Sequence, residues 1–312
     1  MGESSPTLES HKQALQALQN NLQRAIVGKD EAIQLVLVAL LGGGHALLED
    51  VPGVGKTLLA KSLARSIDGK FQRLQCTPDL LPADVTGTNI WNPQKGQFEF
   101  VAGPAFSNVL LADEINRATP RTQAALLEVM EERQVTLDGL SRPVPEPFFV
   151  IATQNPIEYQ GTFPLPEAQM DRFALSFSLG YPSAEDELRM LQRHQMGAID
   201  QDLQPCITLE SVRELQKACR QVQVSAAVQD YILRLVRSTR QDDEITLGVS
   251  PRGAVAMQRS AQALAFLQNR DYILPDDVKQ LALSVLAHRL IPAGGKNART
   301  VVDRLLQTIS VD

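Results

Sequence analysis

The stretch "DVPGVGKT", Asp50 to Thr57, holds the residues of this chain whose types and spacing most clearly invite chemistry. Lys56 stands in the first turn of an expected helix, where partial positive charge and free N–H groups already disfavour a cation. An anion seated at that helix start resolves the conflict. Gly53 and Gly55 let backbone amides turn inward around phosphate oxygens, Lys56 adds its ammonium group, and Thr57 offers a hydroxyl to a magnesium ion. Asp50 stands where the usual pattern G-x-x-x-x-G-K-[ST] has its first glycine. Aspartate tolerates left-handed backbone better than most residues, so the turn stays reachable. Its carboxylate is expected to turn away from phosphate or to accept from a nearby backbone N–H.

A phosphate loop that hydrolyses its ligand needs a metal-holding carboxylate and a base for water. "NVLLADEINRA" supplies both, because an apolar strand ends in Asp113 and Glu114, and parallel sheets gather ligands at the carboxyl ends of their strands. Asp113 would hold magnesium through water, and Glu114 would polarise the attacking water. "FFVIATQNP" brings Asn155 to the same edge, either to orient that water or simply to form a turn before Pro156. In "VSPRGAVA", Ser250 reads as an N-cap, Pro251 as the first helical residue and Arg252 as a first-turn cation. This repeats the Lys56 anomaly and suggests that Arg252 reaches the nucleotide from a second domain, a surface arginine being the alternative. Arg172, in "EAQMDRF", sits where a helix ends, and a cation is favoured there in any case.

The elements that position these groups follow from hydrophobic periodicity. Helices are expected at Leu8 to Ile26, from "VGKDEAI" to Gly42, at Lys56 to about Asp68 and at Thr119 to Arg133. Short apolar strands at "HALLE", "KFQRLQ", "NVLLAD", "FFVIAT" and "ALSFSL" alternate with them, which indicates an α/β, mostly parallel sheet covered on both faces. "VTGTNIWNPQKGQFEFVAG" and "QVTLDGLSRPVPEP" interrupt the alternation and read as inserted hairpins. Gly180 and Pro182 punctuate the chain, and beyond Ser183 the pattern is helical throughout. The division is therefore a nucleotide-binding domain over 1–182 and an all-helical domain over 183–312.

Composition bounds the rest. With 312 residues, 44% hydrophobic and 21% charged, the chain has globular proportions and an ample core. A formal net charge of -6 disfavours an electrostatic grip on nucleic acid or an anionic membrane. The three cysteines, Cys76, Cys206 and Cys219, lack metal-ligand spacing and read as thiols in a reducing compartment. No signal peptide or membrane span is legible, so a soluble cytoplasmic protein without membrane insertion is expected. In the hairpins Lys95 is set against Glu99, and Arg142 against Asp138 and Glu146, a balance that favours protein contact over nucleic acid. Trp91, Phe98 and Phe100 form either a client-facing patch or packing within the subunit.

Taken together, these motifs resemble the AAA+ ATPases, and in detail the MoxR family within them. The match is carried by "TPDLLPADVTGTNIW", "FEFVAGPAFSNVLLADEINRATPRTQAALLEVMEERQVTLDG", "FFVIATQNPIEYQGTFPLPEAQMDRF", "SPRGA" and "RDYILPDDV". The resemblance implies a five-stranded αβα core with a helical lid, ATP and magnesium as cofactors, and a ring, commonly a hexamer, with ATP between neighbours. By position, Gly53, Val54, Gly55, Lys56 and Thr57 match the Walker A core, flanked by Val51, Pro52 and Leu58. Asp113 and Glu114 match Walker B, Asn155 sensor 1, Arg252 sensor 2 and Arg172 the arginine finger. Val27 and Gly28 match the segment that packs on adenine. The hairpins correspond to the helix-2 insert, near Val85 to Gly103, and the pre-sensor-1 hairpin, near Gln134 to Pro147. MoxR-like proteins are thought to be chaperone-like motors that mature or activate protein complexes, often with a partner bearing a von Willebrand factor A domain. A magnesium-chelatase-like motor subunit or a nucleic-acid motor of the MCM-like group is the alternative.

Overall fold

The computed structural model describes residues 8–156, 161–195 and 203–311. The polar leader and residues 157–160 of the "QNPIEYQG" segment lie outside them. Two helices lead in, α1 (Leu8–Ala25) and α2 (Asp30–Leu41). Nine of the twelve α2 residues are buried, as expected for a helix that is apolar on nearly all sides. Then come β1 (Ala46–Glu49), α3 (Lys56–Ser66), β2 (Phe71–Gln75), α4 (Pro82–Thr86), and the hairpin β3 (Gly87–Asn92) and β4 (Gln97–Ala102). After β5 (Val109–Asp113) and α5 (Pro120–Glu132), the second hairpin is β6 (Gln134–Leu137) and β7 (Leu140–Pro143), followed by β8 (Phe149–Gln154), α6 (Glu167–Met170) and β9 (Leu175–Phe177).

Five of these strands form one sheet in the order β2-β5-β8-β1-β9, and every neighbouring pair is parallel. All five carboxyl ends therefore lie along one edge, and all five amino ends along the other. Side chains from one face, such as Leu48, Leu111 and Ile151, pack with α1, α2 and α3. Those from the other face, such as Leu47, Leu110 and Val150, pack with Leu126, Leu127 and Met130 of α5. Both inserted hairpins form in the expected places.

Beyond Ser183 the chain builds α7 (Ala184–Gln195), α8 (Leu209–Cys219), α9 (Ala226–Ser238), β10 (Ile245–Leu247), α10 (Pro251–Leu267), α11 (Pro275–Leu286), β11 (Ile291–Pro292) and α12 (Ala298–Thr308). The lid is helical but departs from the expectation in one detail, an antiparallel ribbon of β10 with β11. Strands of three and two residues leave no period to read. The apolar faces of α8 to α12 join the same core as α2, so the lid is packed directly on the N-terminal helices. Its polar anchor is Asp171, which accepts from Arg289 Nε at 2.7 Å and from Ser250 Oγ at 2.7 Å. Arg289 is itself buried and also donates to the carbonyls of Phe173 and Val285.

Candidate active site

The phosphate loop leaves the end of β1 and enters α3. Gly53 and Gly55 adopt φ of +88° and +100°, conformations that a side chain would strain although neither position is crowded. Gly55 caps α3 without any side-chain bond, so the first-turn N–H groups are left for an anion. Lys56 folds back across the loop, donating from Nζ to the carbonyls of Asp50 (3.0 Å) and Val51 (3.1 Å). An ammonium held by loop carbonyls, beside an uncapped helix start, fits a triphosphate. Thr57 lies in the same first turn, and Val54 and Leu58 pack against the core below. The Asp50 carboxylate turns away as expected and accepts from backbone N–H groups, those of Leu179 at 2.6 Å and Gly180 at 3.1 Å.

Register fixes the second part of the site. β8 lies between β1 and β5, with Leu48 opposite Thr153 and Ala112 opposite Ala152, so the phosphate loop, Asp113 and Asn155 meet at the carboxyl edge. Thr153 binds the Walker B strand twice, donating to Asp113 Oδ1 at 2.7 Å and accepting from the Glu114 N–H at 2.9 Å. From β2, Arg73 Nη2 lies 2.6 Å from Asp113 Oδ2, and Gln75 Nε2 donates to Glu114 Oε2 at 3.0 Å. Arg117 also donates to that Glu114 oxygen, at 3.0 Å. Glu114 adopts φ 57° and ψ 51°, a left-handed conformation that costs a non-glycine residue on the order of 1 kcal/mol and aims its carboxylate across the strand ends. Burial, together with the negative charges of Asp113 and Glu114, pushes the Cys76 thiol up to about 12.

Arg73, Gln75 and Thr153 were not singled out by sequence. For the first two a signal existed: in "KFQRLQ", period-2 alternation puts them on one face at the strand end facing Walker B.

The two candidate arginines lie elsewhere. Arg172 Nε is 3.1 Å from Glu131 Oε2, and Arg252 donates to Glu131 Oε1. These residues border a cavity of about 400 Å³ whose wall includes Gly42, Gly44, His45 and Ala174, the residues that precede β1 and β9. That is the amino edge of the sheet, separated from the phosphate loop by the length of β1, about 13 Å. Arg252 therefore does not reach the nucleotide loop of its own chain, which corrects the expectation drawn from its place at a helix start. The local reading of "VSPRGAVA" is right: Ser250 caps the helix through the Gly253 N–H. A helix start shows where a cation sits in sequence and leaves open which edge of the sheet that helix meets.

Gly28, of the expected adenine segment, has φ +70°, a conformation that strains any side chain, and a Cβ there would also displace the Asp186 carboxylate at the start of α7. In the hairpins, Lys95 pairs with Glu99 at 2.5 Å as expected. Arg142 differs: its guanidinium lies 4.3 Å from the Phe100 ring centroid instead of pairing with Asp138 or Glu146, because the hairpins pack together through Asn89 and Asp138. Phe100 is half-buried against Phe106, whereas Trp91 (51% exposed) and Phe98 (67% exposed) meet edge-to-face on the open surface.

A parallel five-stranded sheet with a phosphate loop, a paired carboxylate strand and a helical lid defines a nucleotide-hydrolysing protein of the AAA class. Residues 45–175 match the ATPase family associated with various cellular activities (AAA), and residues 237–308 match the AAA lid domain. The chain belongs to the MoxR family of AAA+ ATPases. It is 41% identical to Chaperone MoxR1 of Mycobacterium tuberculosis, over 93% of this chain and 80% of that protein. It is 47% identical to the uncharacterized protein YeaC of Bacillus subtilis, over 93% and 92% of the two chains. A solved structure from Cytophaga hutchinsonii superposes with a TM-score of 0.90 at 38% identity, covering 97% of this chain and 96% of that one.

Proposed function

We propose that this ATPase works with magnesium as a ring of identical subunits, commonly six, that remodels, matures or activates other protein complexes. The reading is carried by the separation of the candidate catalytic groups. Lys56, Asp113, Glu114 and Asn155 stand at the carboxyl edge of the sheet, while Arg172 and Arg252 share Glu131 at the amino edge. Phosphoryl transfer draws on both a loop that holds the phosphates and cations that stabilise charge on the transferred group. A head-to-tail contact between copies brings the two edges together, and such contacts form a ring when the rotation between copies closes.

Within the composite site Lys56 neutralises phosphate charge, Glu114 takes the proton from the attacking water, and Asn155 holds that water in line. Arg172 and Arg252 act on the neighbouring subunit's nucleotide. Val51, Pro52 and Gly53 to Leu58 line the phosphates, and Val27 and Gly28 pack on adenine. Magnesium fits Thr57 and Asp113, because it binds through one or two protein ligands, waters and substrate phosphates. Bound there, it would shield phosphate charge. Among the described residues no group of three or more His, Cys, Asp or Glu forms a cage for another metal.

A protein client is favoured over nucleic acid, because Lys95 is paired with Glu99 and Arg142 lies on Phe100, leaving the hairpins without a free basic strip at these positions. We place the protein in the cytoplasm, with a von Willebrand factor A protein as partner. No described helix is long and apolar enough to cross a membrane. Residues 1–182 and 183–312 act as the two working units. The test mixes Arg172→Ala subunits with Lys56→Ala subunits, each inactive alone. Turnover recovered in mixed assemblies supports shared sites, and none recovered although mixed assemblies form would defeat them.

A further inference from the structure

Asp50 does more than tolerate a turn that usually begins with glycine. Its N–H donates to the Gln154 carbonyl at 3.1 Å, which fixes its backbone to β8. Its carbonyl accepts from Lys56 Nζ at 3.0 Å. Its carboxylate, in a residue only 4% exposed, accepts three bonds from one short segment: the Ser178 hydroxyl at 2.5 Å, the Leu179 N–H at 2.6 Å and the Gly180 N–H at 3.1 Å. Residues 178–180 leave β9 and lead into α7, the first helix of the lid. Gly180 turns there with φ +64°, and its carbonyl accepts from the buried Lys29 at 2.9 Å.

We propose that Asp50 is a positioning residue that couples the phosphate loop to the hinge of the lid in the same chain; the proposal rests on the reading of Gly53 to Thr57 as that loop. A buried carboxylate is stable only while its donors stay in place, so the loop and the hinge cannot shift independently without leaving polar groups unpaired. Lys56 is the input. When its ammonium turns to phosphate, the carbonyls of Asp50 and Val51 lose their donor, so the Asp50–Val51 peptide is freed to turn while the Asp50 N–H stays on the Gln154 carbonyl. The carboxylate on the same residue carries that change to residues 178–180 and so to α7. Glycine at this position would keep the loop's freedom and lose the link. Asparagine would keep the shape, but its amide NH2 would oppose one of the donors. With Arg252 at the far edge of the sheet, Asp50 supplies the connection between phosphate and lid that the sequence pattern had assigned to that arginine.

The experiment uses the full-length protein with a non-hydrolysable ATP analogue and magnesium. Calorimetry gives nucleotide affinity, and hydrogen exchange over residues 178–190 gives the response of the hinge. Asp50→Asn and Asp50→Gly are expected to bind the analogue within about threefold of wild type, to lose more than about half of the nucleotide-dependent change in exchange at the hinge, and to lose about tenfold in kcat. Ser178→Ala, which removes one donor and leaves the loop sequence intact, is expected to show the same exchange defect in weaker form. A hinge response equal to wild type at saturating nucleotide in these variants would overturn the coupling, whatever happens to affinity. If wild-type protein bound no analogue, the phosphate-loop reading itself would fall and the proposal with it.

Discussion

The guanidinium of Arg73 lies on the carboxylate of Asp113, with Nη2 2.6 Å and Nε 3.2 Å from the same Oδ2 oxygen. Arg73 is half exposed and Asp113 is buried, so the pair places a cation on the carboxylate proposed for magnesium. Metal and arginine then compete for one negative charge. Arg73→Ala is expected to lower the magnesium concentration needed for half-maximal ATP turnover about threefold, checked by titrating magnesium at saturating ATP. An unchanged or raised requirement would show that the arginine assists the metal site.

Glu114 is held by Gln75 and Arg117 at the end of β5 and is the group proposed to activate water. Glu114→Gln preserves those partners and removes the proton acceptor. Phosphate release should fall by more than about a hundredfold while ATP stays bound. Tagged Glu114→Gln protein loaded with ATP should also retain its protein partner through purification. Ordinary phosphate release from this variant would take Glu114 out of the proposed role.

Glu131 is the shared anchor of Arg172 and Arg252. Both pairs are partly exposed, so their worth to stability is small. Their value is geometric, since one carboxylate fixes two guanidinium groups at one face. Glu131→Ala should therefore lower kcat about tenfold with little change in nucleotide affinity or melting temperature. Glu131→Asp should recover part of the loss. A drop in affinity matching the drop in kcat would point to general damage.

His45 is buried and His288 half-buried, and each is held well below its ordinary value of 6.5, first by loss of solvation and then by a neighbouring arginine, Arg133 and Arg289 respectively. His45 accepts from the Val150 N–H at 3.0 Å, which assigns the proton to the nitrogen facing the Met130 carbonyl. The unfolded chain binds protons at these sites as pH falls through about 6.5, while the folded chain does not. Stability is therefore fully present above that pH and is lost below it. The slope approaches about 1.4 kcal/mol per pH unit for each histidine. Urea titrations between about pH 7.5 and 5.5 check this, and a midpoint that rises on acidification would contradict it.

Much of the site was legible because its parts are local in sequence. The loop "PGVGKT" states its own dihedral needs, and "NVLLADE" states both a buried strand and the carboxylates at its end. Parallel topology then follows from short apolar strands alternating with helices, and it alone puts both motifs at one edge. The β10–β11 ribbon was too short to carry a period. Arg142 was read against the charges nearest to it in sequence, but cross-hairpin packing gives it the Phe100 ring.

The sequence by itself determined the class of chemistry, the α/β core with its helical lid, and the residues proposed to hold phosphate and activate water. Side-chain type and short-range spacing are enough for that, because a helix start, a strand end and a glycine turn are each set within a few residues. Tertiary structure alone decided which edge of the sheet each group joins. It sent Arg252 to Glu131 and away from its own phosphate loop, across 121 positions of sequence. It also joined Asp50 to Ser178, Leu179 and Gly180, about 130 positions on. Such pairings depend on how packed layers bring distant segments together, and a buried carboxylate finds its donors only after the core has closed around it.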